Sequence, residues 1–268
     1  MKKILLSILF SLGIYSTTFA QQTDITGFSS ETGFFNSNMD YQIRANYSIG
    51  GSAPLGLPRE IRKIESYNPT LALGLEANAT KWVSLDRQWG VRIGVRVESK
   101  GMRTKAEVKN YLTEIRQDNS KVRGYYTGKV NTSIKNAYIT VPISAVYRLS
   151  KKWNLYGGLY FSGLIDKHFD GYVSDGYLRQ NTPTGPKIMF SEGSTAIYNF
   201  SNELRKFQWG TQLGAEWFIN DHFILFPEFT YGINGLMNKD FNSISFSLHN
   251  ISFSLHNISL NMGFGYKF

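Results

Sequence analysis

The stretch that decides the fold is Trp89-Gly-Val-Arg-Ile-Gly-Val-Arg-Val-Glu98, in which apolar and polar residues alternate without a break. A period of two places each class of side chain on its own face of a β-strand, so the segment predicts a strand with one apolar and one polar face. Its length exceeds the roughly five or six residues usual in soluble domains. It matches the roughly ten residues that a tilted strand needs to cross a membrane.

Seven further segments of this kind follow the same period. With the first they form eight predicted strands, at 41–49, 71–80, 89–98, 137–145, 155–165, 207–217, 223–233 and 258–268. The connections alternate between short ones, such as 149–152, and long ones, such as 103–132, which is typical of short periplasmic turns and long extracellular loops. We therefore predict that residues 39–268 form an all-β, eight-stranded antiparallel transmembrane β-barrel. A soluble periplasmic β-sandwich, which gives the same alternation, is the alternative.

The N-terminus predicts export. Lys2 and Lys3 precede an apolar run that ends at Tyr15, and small residues follow as far as Ala20. This order is typical of a secretory signal peptide, here residues 1–20, and the run is too short to span a bilayer as a helix. Residues 21–38 are then an N-terminal periplasmic segment. The chain has no cysteine, which excludes lipoprotein acylation and thiol chemistry, and its formal charge is +9. We expect an outer-membrane location, where nucleic acid is not a partner.

The polar faces of the strands carry charged residues that would point into the barrel. They are Arg44, Glu76, Arg92, Arg96, Glu98, Glu216 and Glu228. An eight-stranded barrel is just wide enough to be filled by side chains, and unpaired charges in such an interior are costly. We therefore expect a closed network of ion pairs, with Glu76, Arg92 and Arg96 as partners. A selective pore lined by the same residues is the alternative.

Aromatic and basic residues mark the two ends of the predicted barrel. Four tryptophans beside short turns are expected to form an aromatic girdle at one membrane interface: Trp82, Trp89, Trp153 and Trp217. Basic residues in the long connections are candidate contacts: Arg59, Arg62, Lys63, Lys105, Lys109, Arg116, Lys121 and Arg123. They would meet outer-membrane lipid and the phosphates of lipopolysaccharide, or dock an acidic partner. The spacing of Ile61 and Ile64 predicts a helical turn in the first long connection.

Several motifs are similar to those of the PorT-type outer-membrane β-barrel family of Bacteroidetes. They are Glu98-Ser-Lys-Gly101, Ala137-Tyr-Ile-Thr-Val-Pro-Ile143, Tyr156-Gly-Gly-Leu-Tyr160 and the ending Gly-Phe-Gly-Tyr-Lys-Phe268. The resemblance implies a barrel in the outer membrane. The member that gave the family its name is associated with a secretion system, and no catalytic motif comes with the family.

The functional expectation is a non-enzymatic, monomeric barrel without cofactor or metal. It would act as an accessory or scaffold component of an envelope machine, with protein secretion as one such machine and an envelope protein as partner. A free-standing barrel that binds external ligands or stabilises the outer membrane is one alternative. A lipid-modifying enzyme is another, because Asp166, His168 and Asp170 cluster near Ser162. No Gly-x-Ser-x-Gly or His-Glu-x-x-His motif supports that enzyme.

Overall fold

The computed structural model describes residues 38–55, 59–70, 72–84, 86–117, 120–190, 195–238 and 254–268. These residues form eleven strands and one short 3₁₀ helix, Ser201–Glu203. The strands are β1 (Met39–Leu55), β2 (Ile61–Pro69), β3 (Ala72–Trp82), β4 (Trp89–Gln117), β5 (Ser120–Arg148), β6 (Trp153–Gln180), β7 (Lys187–Phe190), β8 (Ala196–Asn199), β9 (Phe207–Phe218), β10 (Phe223–Gly232) and β11 (Ser254–Lys267). Within these ranges no helix is both long and apolar enough to cross a bilayer. The predicted signal peptide and residues 21–37 lie outside the described residues.

Eight of the strands close into a ring. Each is antiparallel to its neighbours in the order β1, β3, β4, β5, β6, β9, β10 and β11, and β11 pairs back with β1. Closure leaves no unpaired sheet edge at the level of the ring, which is the condition for spanning a membrane with strands. The predicted eight-stranded antiparallel barrel is confirmed. Its strands coincide with the eight alternating segments of the sequence.

The long connections consist largely of strand rather than irregular loop. The β4–β5 hairpin continues until Gln117 faces Ser120, so residues 103–117 pair with residues 120–133, with one irregularity between Val108 and Tyr111. The helical turn predicted for Ile61 and Ile64 is wrong, because both residues belong to β2, which pairs with β4. β3 pairs with β4 only as far as Glu98, and from Met102 onward β2 supplies the backbone partners on this edge of β4.

The two faces of β4 exchange character near Gly101. The inner face changes from polar to apolar and the outer face from apolar to charged, while the same positions continue to point inward. Below this point Arg96 points inward and is buried, whereas Val97 points outward and is exposed. Above it Met102 is buried on the inner face, whereas Arg103 is exposed on the outer face. An outward apolar face suits lipid and an outward charged face suits water. The reversal therefore marks the membrane boundary at the end of the barrel that carries the long hairpins.

Beyond this boundary the strand extensions form a folded unit with its own apolar core. We call it the head, which comprises the described residues of 61–69, 102–134 and 169–204. Its buried core includes Met102, Val108, Ile115, Tyr126, Val130, Ile134, Phe169, Val173, Leu178, Phe190, Ala196, Tyr198 and Leu204. The hydroxyl of Tyr198 donates a hydrogen bond of 2.8 Å to the Asn131 carbonyl, and burial raises the pKa of Tyr198 well above its ordinary value. The head is thus a packed structure above the barrel mouth.

Candidate functional site

The barrel interior holds a dense set of charged side chains. The structure places all seven predicted residues there, each at most 4% exposed: Arg44, Glu76, Arg92, Arg96, Glu98, Glu216 and Glu228. Charges removed from water to this degree are tolerated when they are paired and hydrogen-bonded. The contacts divide into two clusters, one centred on Glu216 and one centred on Arg96.

Glu216 of β9 is the centre of the first cluster. Arg44 donates a hydrogen bond to its Oε1, and Arg92 Nη2 lies 2.8 Å from the same oxygen. Asn154 Nδ2 donates to Oε2 at 2.9 Å. The guanidinium groups of Arg44 and Arg92 each lie 5.1 Å from the ring centre of Tyr156. The carboxylate is therefore shared by two cations that also stack on one aromatic ring.

Arg96 of β4 is the centre of the second cluster. Its Nε donates to Glu76 Oε2 at 2.6 Å, and its Nη1 lies 2.8 Å from Glu228 Oε1. Glu98 Oε2 is 3.8 Å from Nη1. Arg44 Nη1 and Glu76 Oε1, also 3.8 Å apart, link this cluster to the first. The seven side chains thus form one continuous network.

One predicted pairing is wrong. Arg92 does not pair with Glu76, because the strand register places Thr80 opposite Arg92 and Glu76 opposite Arg96. Arg92 Nε accordingly donates to Thr80 Oγ1 at 2.9 Å, and its Nη2 reaches Glu216 across the interior. Of these two arginines, only Arg96 therefore pairs with Glu76 of the adjacent strand β3, and Arg92 finds its carboxylate on β9.

Sequence reasoning missed one cation of the network. Lys100 Nζ lies 3.1 Å from Glu98 Oε1 and 5.0 Å from the ring centre of Tyr160, and the residue is buried. Four interior cations then face four interior carboxylates, so the formal charge of the network is zero. The signal was present in the sequence, since Lys100 follows Glu98 at the period of two that points side chains inward.

Three of the four tryptophans predicted to form a girdle face outward, and the prediction is wrong for the fourth. Trp89, Trp153 and Trp217 point outward at the short-turn end, each more than one-third exposed. Trp82 is buried instead, and its Nε1 donates to Asp40 Oδ2 at 2.8 Å. Proximity to a turn suggested the girdle, but Trp82 is in phase with the inward-facing residues of β3.

The basic candidate contacts lie on or next to strands of the head rather than on flexible loops. Arg59 precedes β2, Arg62 and Lys63 lie on β2, Lys105, Lys109 and Arg116 lie on β4, and Lys121 and Arg123 lie on β5. The side chains of Arg116 and Lys121 lie outside the described part of the structure, and those of the other six are exposed. Strand pairing fixes the spacing of five of them, Lys63, Lys105, Arg116, Lys121 and Arg123. Arg59 precedes β2, and Arg62 and Lys109 lie at irregularities in the register.

The residues considered for catalysis are separated by the sheet. His168 Nδ1 lies 3.7 Å from Asp166 Oδ1 on the outer face of β6, where both side chains are largely exposed, as is the neighbouring Asp170. Ser162 is buried on the inner face and hydrogen-bonds to Thr140 at 2.8 Å. A nucleophile and its base must lie within hydrogen-bond reach, which this placement prevents. Among the described residues, no three metal-ligating side chains come close enough together to hold an ion.

The chain is similar to several solved structures and to one protein family. Similar solved structures include Ail, the attachment invasion locus protein of Yersinia pestis, with 14% identity, coverage of 86% of this chain and 97% of Ail, and a TM-score of 0.36. Neisserial surface protein A is 13% identical, with coverage of 87% of this chain and 98% of that protein and a TM-score of 0.31. The outer membrane protease OmpT of Escherichia coli is 11% identical, with coverage of 92% of this chain and 100% of OmpT and a TM-score of 0.33. No curated protein sequence matches the chain. The model of the outer membrane protein beta-barrel domain family matches residues 19–238, and the chain therefore belongs to that family of outer-membrane proteins.

Proposed function

We propose that this outer-membrane barrel is a non-enzymatic accessory or scaffold component of an envelope machine, such as a protein-secretion complex. In this proposal residues 1–20 are a cleaved signal peptide, and the barrel is monomeric with a side-chain-filled interior. The head and the short turns are the surfaces available to an envelope partner. The resemblance to PorT-type barrels supports the choice of secretion.

One ion pair carries the argument for a closed interior. Arg96 lies on β4 and Glu228 on β10, which are four strands apart in the ring of eight and therefore on opposite walls. Their atoms Nη1 and Oε1 are 2.8 Å apart, so the pair crosses the interior. A second pair, Arg92 with Glu216, spans three strands of the ring. Side chains that join opposite walls support a plug rather than a pore.

The placement of the polar groups supports a role without catalysis. Ser162 and His168 lie on opposite faces of β6, so they do not form a nucleophile–base pair. The interior carboxylates are each paired with arginine or lysine inside the closed network, so their oxygens are already engaged by protein cations. Binding through outer surfaces is then the role that remains for this barrel.

Two measurements test the proposal. A tagged copy, extracted gently from the native outer membrane, is expected to bring down other envelope proteins in stoichiometric amounts, identified by mass spectrometry. Recovery as an isolated monomer would refute the accessory role. The purified barrel is expected to give no stable single-channel current in a planar bilayer, and reproducible conductance steps would refute the plug.

A free-standing barrel that binds external ligands or stabilises the outer membrane is the second candidate. The packed core of the head favours it, because thirteen buried apolar residues of the head pack in one cluster and hold its strands together. A rigid surface binds a ligand at a lower entropic cost than a mobile loop does. Monomeric recovery in the extraction experiment would select this candidate and direct the search toward small ligands and lipids.

A further inference from the structure

A cleft opens on the barrel wall at the membrane boundary of β4, β5 and β6. Its volume is about 610 Å³, and its lining includes Thr70, Ser99, Lys135, Ala137, Asp166 and His168. Strand register holds these residues together, since Ser99 faces Ala137 and Lys135 faces His168 on neighbouring strands. The small side chains of Ser99 and Ala137 leave room between the larger ones. The cleft is therefore a product of the paired sheet.

The cleft begins where the lipid-facing band ends. Val97, Ile139 and Ile165 are exposed apolar residues of that band, each more than 40% exposed. Ser99 lies two residues after Val97 on β4, and its register partner Ala137 lies two residues before Ile139 on β5. Lys135 lies two residues further from the band on the same face of β5. A bilayer presents its headgroups at this depth. Whatever enters the cleft from the membrane is therefore a headgroup and not an acyl chain.

Two cations lie at or next to the cleft. Lys135 lines it, and Arg103 lies outside the lining, two residues along β4 from Gly101, the register partner of Lys135. Both are exposed on the outer face, and neither forms an ion pair or a side-chain hydrogen bond with another residue in the described ranges. The lining also holds one carboxylate, Asp166, which is largely exposed and lies 3.7 Å from His168, so the two cations outnumber it. Thr70 and Ser99 add hydroxyl donors beside Lys135. One unpaired ammonium, a guanidinium above it and two hydroxyls form a donor set suited to phosphate.

We infer that this cleft binds the phosphorylated headgroup of an outer-leaflet lipid. Lys135 and the hydroxyls of Thr70 and Ser99 would hold the phosphate, and Arg103, two residues beyond the membrane boundary, would contact it from above. The acyl chains would lie along Val97, Ile139 and Ile165. The inference deepens the proposed surface-binding function and rests on it for the orientation of the long hairpins toward the outer leaflet.

The test measures lipid retention by the intact barrel. The full chain is reconstituted in phosphatidylcholine nanodiscs and titrated with lipid A that carries its phosphates or with dephosphorylated lipid A, and bound lipid is counted by native mass spectrometry. We expect preferential retention of the phosphorylated form. The double variant Lys135→Gln/Arg103→Gln should weaken that retention about thirtyfold, which corresponds to about fivefold for each cation removed near an anionic surface.

Two further variants make the result specific. Lys151→Gln/Lys152→Gln removes the same charge from the exposed turn at the opposite end of the barrel and should change retention less than twofold. Lys135→Arg keeps the charge and should restore binding. Equal retention of both lipid A forms, or equal loss in both double variants, would overturn the site.

Competition by millimolar inorganic phosphate would show a free-anion site and would overturn the lipid assignment. Failure of the lipid site leaves co-purification of an envelope partner unchanged. Monomeric recovery of a barrel that retains lipid refutes the accessory role alone, so the two proposals fail separately.

Discussion

The charge network of the interior predicts a large and asymmetric cost for removing Arg96. This side chain contacts Glu76 at 2.6 Å and Glu228 at 2.8 Å, and all three residues are at most 4% exposed. Arg96→Met keeps most of the side-chain volume but leaves two carboxylates without their main cation. Glu228 would retain hydrogen bonds from Asn261 at 2.9 Å and from Tyr156 at 3.1 Å. Breaking a buried pair from one side costs about 3–5 kcal/mol, so we expect a loss of this size in the free energy of unfolding.

The assay is urea unfolding of the barrel in detergent micelles, followed by tryptophan fluorescence and by the change in gel mobility on boiling. The double variant Arg96→Met/Glu228→Gln should recover part of the loss, because it removes one of the two carboxylate charges that Arg96→Met leaves without their main cation. Arg87→Met is the matched control, since Arg87 is 3.9 Å from Asp40, is partly exposed and should cost about 0–1 kcal/mol. A cost for Arg96→Met no larger than that of the control, or additive costs in the double variant, would refute the network.

Three further outcomes follow from the packing. Trp82→Ala should lower the free energy of unfolding by about 3–5 kcal/mol, because it empties a buried site, whereas the outward-facing Trp217→Ala should cost less than half as much; thermal unfolding of both variants compares them. Ile134→Ala, at a fully buried position of the head core, should cost about 2–5 kcal/mol and raise hydrogen exchange in the head more than in the ring, and uniform exchange would argue against a separate packed core. Burial raises the pKa of Tyr198, so this tyrosine ionises at lower pH in the unfolded chain than in the folded one. The free energy of unfolding should therefore be unaffected below a pH of about 10 and should fall as the pH rises above it. Tyr198→Phe should lessen that fall in an alkaline unfolding series.

The ring could be predicted from the sequence because strand alternation is a local property. Residues such as Arg92 and Arg96 point inward because they are spaced by two along one strand, and no distant contact is needed to know this. Lys100 obeys the same rule and was overlooked because it lies next to a segment that reads as a charged loop. Trp82 was misplaced for a related reason, since its position beside a turn was given more weight than its phase along β3.

Pairing across the interior could not be predicted in the same way. Glu216 lies 124 positions from Arg92, and their contact depends on the curvature of the ring and on the stagger of strands that are not neighbours. The sequence shows which residues enter the interior, but not which wall each of them reaches. For the same reason it gave no sign of the cleft around Lys135, which needs three strands in register before its lining residues meet.

The head shows why period-two alternation has to be considered together with its polarity. In β5, Thr140 is buried and Ile139 exposed, whereas further along the strand Ile134 is buried and Lys135 exposed. The period is the same in both places, and only the medium outside the wall differs. If apolar residues are expected on the outer face throughout, the part of β5 around Lys135 is mistaken for a charged loop. Strands that reverse polarity without losing phase continue past the membrane into water, where their inner face needs an apolar core. The point of reversal locates the membrane boundary from sequence alone, and in this chain the proposed lipid cleft lies at that point.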